Sequence, residues 1–220
     1  MKFEIKNFKS GITLIEIIVV IFIITMFSMI IISDFPKMQK EFALSRAAYK
    51  LAQDLRKTED LGLSGLQIND GENPPQLITT IKGYGIYIHL GESQEIYSIY
   101  ADINYNQGDE IYDDPYPAPR VLCSNVPEST PPSDCIIETT DLSQDNPDLY
   151  IKSMENIIGN FTSINFSPPG PQVNIENKCS LDFDCVDSDH SRIGIILGLK
   201  SDASAERIIW INTSGLISVQ

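Results

Sequence analysis

The chain has 220 residues and sets 30 acidic against 16 basic side chains, for a formal net charge of −14. That length holds one ordinary domain, or one domain and an anchor, and argues against two. A body this acidic repels phosphate backbones, which disfavours nucleic acid as a partner unless a local basic patch exists.

Residues 1–11, MKFEIKNFKSG, form a short leader with Lys2, Lys6 and Lys9 against Glu4. Residues 12–33 follow with Glu16 as their only charge. As a helix rising about 1.5 Å per residue this stretch reaches roughly 33 Å, enough for the hydrocarbon core of a bilayer. The lysines precede it, so the positive-inside rule leaves the leader in the cytoplasm and the rest of the chain outside. A secretory signal places its small residue after the apolar core. Here Gly11 comes before it. A carboxylate at membrane depth costs at least a few kcal/mol on insertion scales, so Glu16 reads as a functional group that needs a partner.

After the span, Asp34 is able to cap a helix, and Pro36 belongs in a first turn or at a kink, so the helix is expected to bend or restart there. Leu44, Ala48, Leu51 and Leu55 then recur at helical spacing, with Arg46, Lys50, Asp54, Arg56 and Lys57 largely off that stripe. Residues 34–65 are therefore expected to form an amphipathic helix that packs on a globular head and stops near Gly62 or Gly65.

Residues 66–220 change to short β-rich runs. LITTIKGYGIYIHL at 77–90 and EIYSIYA at 95–101 read as a hairpin through GES. SINF at 163–166, RIGIILGL at 192–199 and RIIWINTSGLISV at 207–219 read as strands, the last as a hairpin turning at Thr213, Ser214 and Gly215. The proline-dense middle, roughly 107–150, is expected to be loop. Cys123 and Cys135 form one close pair and Cys179 and Cys185 another, without zinc-like or redox-active spacing. They read as two local disulfides in an oxidising compartment, although four cysteines allow three connectivities.

No enzyme signature is present. His89 reads as a strand-face residue, His190 stands in no metal or nucleophile motif, and no serine lies in a GxSxG. No cofactor is expected, with calcium as the one candidate. Asp102, Asn104, Asn106 and Asp113 match positions one, three, five and twelve of an EF-hand loop, but Gln107 stands at the glycine position and aspartate replaces the bidentate glutamate. A second acidic run, Asp182, Asp184, Asp187 and Asp189, fits either a hard cation or plain solvation. The N-x-S/T triplets at Asn160, Asn165 and Asn212 read as structural, as do Trp210 and its isoleucine neighbours.

The string KSG-ITLIEI resembles the class III signal of type IV prepilins and type II secretion pseudopilins. The resemblance implies cleavage between Gly11 and Ile12 by a membrane prepilin peptidase, methylation of the new terminus, and an assembly role for Glu16. In that family the glutamate is thought to meet the terminal amine of a neighbouring subunit. Ile12 departs from the usual phenylalanine or methionine at the new terminus. The later order of pieces, DLRKTEDLGLSG, GYGIYI, YADINYNQGDEIYDD, INFSPPGP and RIIWINTSGLISV, is similar to the GspH/FimT group of minor pseudopilins and minor pilins. That likeness implies an α+β, pilin-like fold, with a long N-terminal helix packed on an antiparallel β-sandwich-like head. It further implies a single-pass protein of the inner (cytoplasmic) membrane with its head outside the cytoplasm. Other pilins or pseudopilins would be its partners through helix bundling, in an extracytoplasmic fibre. A ligand- or DNA-binding tip subunit is the alternative, disfavoured because the C-terminal hairpin ends INTSGLISVQ without Lys or Arg.

Overall fold

A computed structural model describes residues 12–65, 68–69, 77–78, 81–103, 122–123, 134–157, 159–167, 172–176 and 191–220. Two compact units divide the chain, Met1–Glu41 and Phe42–Gln220.

One helix, α1, runs from Leu14 to Ser64. The restart expected at Asp34 and Pro36 does not occur, since both residues lie inside α1. An interior proline costs about 3 kcal/mol. Long helical stretches on either side outweigh that, because each further residue adds its own backbone bond once a helix is nucleated. The stop comes at Gly65, whose φ of +57° is the left-handed conformation that closes many helices. Gly62 is not a stop. It sits within α1 where a Cβ would stand 2.4 Å from the Phe166 carbonyl oxygen and 2.9 Å from the Phe166 Cβ. Only a residue without a side chain lets helix and sheet come that close.

In the first unit, the large apolar side chains from Ile12 to Ile32 are between 47% and 77% exposed. The helix is long and apolar enough to cross a membrane.

In the second unit, α1 buries Leu44, Ala47, Ala48, Leu51, Ala52 and Leu55. Their three- and four-residue spacing puts them on one face. That face shares a core with two antiparallel sheets. Beyond the small pair β1 (Ile68–Asn69) and β2 (Leu77–Ile78), the strands are β3 (Ile81–His89), β4 (Ile96–Ile103), β5 (Asp134–Asp141), β6 (Leu149–Glu155), β7 (Phe161–Ser167), β8 (Gln172–Glu176), β9 (Arg192–Leu199), β10 (Asp202–Asn212) and β11 (Ile217–Val219). The five-stranded sheet has the order β5-β4-β3-β7-β8 and the four-stranded sheet the order β11-β10-β9-β6. Ile86, Ile99 and Ile164 enter the core from the first sheet, and Ile151, Ile195, Leu197 and Ile209 from the second. The layout is thus one long N-terminal helix packed on antiparallel sheets, an α+β arrangement.

The hairpins read at 77–101 and 207–219 are present, with Tyr87 opposite Ser98 and Trp210 opposite Ser218 in register. The middle needs correction, because β5 and the start of β6 lie within 107–150. Prolines 131 and 132 mask the signal, while the β-branched run from Ile136 to Thr140 is good strand sequence that β4 pairs across a bulge. Strand β8 was also hidden, by Pro168, Pro169 and Pro171 just before it.

Polar contacts fix how the helix lies on the five-stranded sheet. Asp54 accepts a 2.5 Å hydrogen bond from the Tyr97 hydroxyl, and Lys57 pairs with Glu138 at 2.6 Å. The second pair is half exposed and adds at most about 1 kcal/mol. The first sits at the edge of the core and sets the helix register.

Candidate functional site

The candidate site is the beginning of α1. Ile12 and Thr13 precede the helix, and the Thr13 carbonyl accepts from the backbone N–H groups of Glu16 at 3.1 Å and Ile17 at 3.4 Å. Glu16 therefore occupies the first turn, where the positive end of the helix dipole favours a carboxylate. Two hydroxyls deeper in the span, those of Thr25 and Ser28, satisfy themselves. Thr25 Oγ1 donates to the Phe22 carbonyl at 2.9 Å, and Ser28 Oγ donates to the Ile24 carbonyl at 2.8 Å. This back-bonding is how hydroxyls are tolerated where water is scarce.

Glu16 has no such remedy. Among the described residues its carboxylate makes no ion pair or side-chain hydrogen bond. The nearest described cation along the helix is Lys37, about 32 Å away at 1.5 Å per residue. Gly11, the other half of the expected cleavage bond, lies outside the described residues.

Cys123 and Cys135 form the expected disulfide, with Cα atoms 4.9 Å apart. Both are buried beside Tyr84, Ala101 and Ile103. Leu122 also bridges to Ile136, so the link ties this segment to the outer side of β5, the edge strand. Covering an edge this way removes a template for unwanted pairing. Cys135→Ser is expected to destabilise the head by about 3 kcal/mol, the loop-closure value for a link of this span, and thermal melting checks it. Cys179 and Cys185 lie outside the described residues.

Asp102 stands near the end of β4, 1% exposed, directly across from Asp134 of β5, which is 7% exposed. Asn104, Asn106 and Asp113 lie outside the described residues, as do the carboxylates of the second acidic run. On the same sheet face the fully buried Tyr100 hydroxyl shares a 2.5 Å hydrogen bond with the Ser163 hydroxyl and accepts from Asn165 Nδ2 at 3.4 Å. Sequence reading missed Asp134, Tyr100, Ser163 and Asn165 as a group. They come from three strands, and only register brings them together. His89 is engaged structurally: its Nδ1 accepts from the Glu92 N–H at 2.8 Å, and its ring stacks on Phe161.

Burial pushes the Tyr84 hydroxyl up to about 12 and those of Tyr97 and Tyr100 higher still. The unfolded chain ionises tyrosine near 10, so the stabilisation is complete below that value and is lost as pH rises above it. Tyr97 and Tyr100 should each remove about 1.4 kcal/mol of stability per pH unit there. A melting temperature that falls steeply between about pH 10 and 11, with a further step in tyrosinate absorbance on unfolding as the buried hydroxyls of Tyr84, Tyr97 and Tyr100 are released, is the expected result.

No family model, curated protein or solved structure matches this chain.

Proposed function

We propose that the protein is a structural minor pilin or pseudopilin, made as a precursor, cut between Gly11 and Ile12, and assembled through its N-terminal helix into a type IV pilus or type II secretion pseudopilus. One observation carries the reading: a single carboxylate, Glu16, in the first turn of α1, within an apolar stretch, residues 12–33, that holds no other charge. Cleavage frees an ammonium on Ile12, and the same group on a neighbouring copy neutralises Glu16 as helices bundle. The pairing acts as a register key, because a buried charge is tolerated only where its partner arrives in one geometry.

Further support comes from the second unit. There α1 exposes Phe42, Tyr49 and Leu63 on the side away from Leu44, Leu51 and Leu55. Phe42 and Tyr49, two turns apart on one exposed side, offer apolar surface to a neighbouring helix. The head sits outside the inner membrane, where its disulfide persists.

The test is the terminus of the protein taken from its native envelope. Mass spectrometry should find a chain beginning at Ile12, carrying an N-methyl group. Gly11→Ala should leave the leader attached. A native chain that still starts at Met1 and stays as single copies sinks the reading.

A further inference from the structure

Arg192 and Trp210 form a stack on the side of the four-stranded sheet that faces away from the core. Ile209, Ile211 and Ile217 are buried in that core. The residues that alternate with them, Trp210, Asn212, Leu216 and Ser218, therefore point to the opposite face. Register sets Trp210 between Ser218 and Gly194, and sets Arg192 opposite Asn212 in the next outward row. Three atoms of the indole six-membered ring, Cη2, Cζ3 and Cε3, lie 3.0 to 3.2 Å from where a Cβ on Gly194 would stand. The ring thus rests on bare backbone. Over it lies the Arg192 guanidinium, its carbon 4.6 Å from the ring centroid.

This cation has no acid. Among the described residues the Arg192 guanidinium makes no hydrogen bond and no ion pair. The other cations along this sheet are engaged: Lys152 pairs with Glu206, Lys200 pairs with Glu95, and Arg207 donates to the Glu206 carbonyl at 2.8 Å. In a chain with 30 acidic side chains against 16 basic ones, an exposed guanidinium left without a carboxylate stands out. It is also held in place. Stacking on an aromatic ring fixes the plane of the fork and leaves its donor edge open, so less freedom is lost when an anion binds. Leu216, in the same outward row as Arg192, is 66% exposed. Tryptophan, arginine and an exposed aliphatic side chain together have the composition of an interface anchor.

We propose that this face docks a different protein through one of that protein's carboxylates. The Arg192 fork takes the carboxylate with two parallel N–H donors, and Leu216 with the open part of Trp210 covers an apolar side chain beside it. Charge selects the class of partner. A nucleic acid brings a row of phosphates that a body of net charge −14 repels, and one fork offsets only one of them. A second copy of this chain brings another −14 of like charge. A single acidic side chain at the rim of an apolar contact matches what the face offers. The docking needs neither cleavage after Gly11 nor bundling through Glu16, so it stands or falls apart from them.

Arg192→Lys keeps the positive charge and supplies an amine that a carbodiimide couples to any carboxylate in contact with it. Native envelopes carrying this variant are treated with carbodiimide and digested, and the linked peptides are sequenced by mass spectrometry. Lys57 and Glu138, 2.6 Å apart within the head, form the internal control. The expected result is the control link together with a link from residue 192 to an Asp or Glu of another protein. Arg192→Glu should lower the amount of that protein recovered with this chain by at least about tenfold. Its melting temperature should stay near that of the wild type, since the side chain is exposed and bonded to nothing in the fold. A control link with residue 192 free, or joined only to a carboxylate of this chain in the same or a second copy, overturns the proposal. So does unchanged recovery of the partner with Arg192→Glu.

Discussion

Glu16→Ala should leave the Gly11–Ile12 bond cleaved and lower incorporation into fibres by about 100-fold. Breaking a buried ion pair by removing one member costs about 3–5 kcal/mol, because the remaining charge is stranded in an apolar bundle. Each 1.4 kcal/mol is a factor of ten, so even the lower bound gives about two decades. Insertion into the bilayer should not suffer, since deleting a charge at membrane depth makes the helix more lipid-compatible. The amount of processed protein in the membrane therefore stays at the wild-type level while the amount in sheared fibres drops. Glu16→Gln keeps size and hydrogen bonding but not charge, and it should behave like the alanine variant. Wild-type incorporation of either one means that no charge pair forms at this position.

Gly85→Ala is expected to damage the head severely. A Cβ at residue 85 would stand 2.3 Å from Cε1 and Cζ of Tyr100 and 2.4 Å from its hydroxyl oxygen. Contacts that short are repulsive, and Tyr100 is fully buried, so the ring has nowhere nearby to go. Overpacking costs about 1–3 kcal/mol, and separating the Tyr100 hydroxyl from Ser163 and Asn165 adds about 1–3 kcal/mol for stranded polar groups. The sum is a loss near 4 kcal/mol, visible as a melting temperature lower by about 10 °C. Tyr100→Phe isolates the second term and should cost about 1–3 kcal/mol. In a Tyr100→Ala background the glycine substitution should cost far less, since the clash is gone. Equal penalties in both backgrounds mean that the close approach of residue 85 to Tyr100 is not what the glycine serves.

The two predictions differ in how far the sequence foreshadows them. Glu16 stands out in one dimension, because a charge among isoleucines is conspicuous by composition alone. Gly85 is not. It looks like one more small residue in GYGIYI, and only the register that sets it opposite both Tyr100 and Asn165 gives it a reason. The same holds for Gly62, which by pattern resembles a helix terminator and in the fold is a contact point with Phe166.

By itself the sequence determined what local physics controls: the apolar stretch at the N-terminus, the amphipathic continuation with Leu44, Leu51 and Leu55 on one face, and the hairpins read at 77–101 and 207–219. Each depends on periodicity and turn chemistry within a few residues of chain. That α1 passes Pro36 unbroken is again local, since cooperative helix on both sides offsets one missing hydrogen bond. Tertiary structure alone decided that β5 and β8 are strands despite the prolines before them, and that Asp102 faces Asp134. Those outcomes are set by partners distant in sequence, because an adjacent strand supplies the ladder that a proline-flanked segment cannot make alone. Which carboxylates meet across a sheet follows from register, which no single strand encodes.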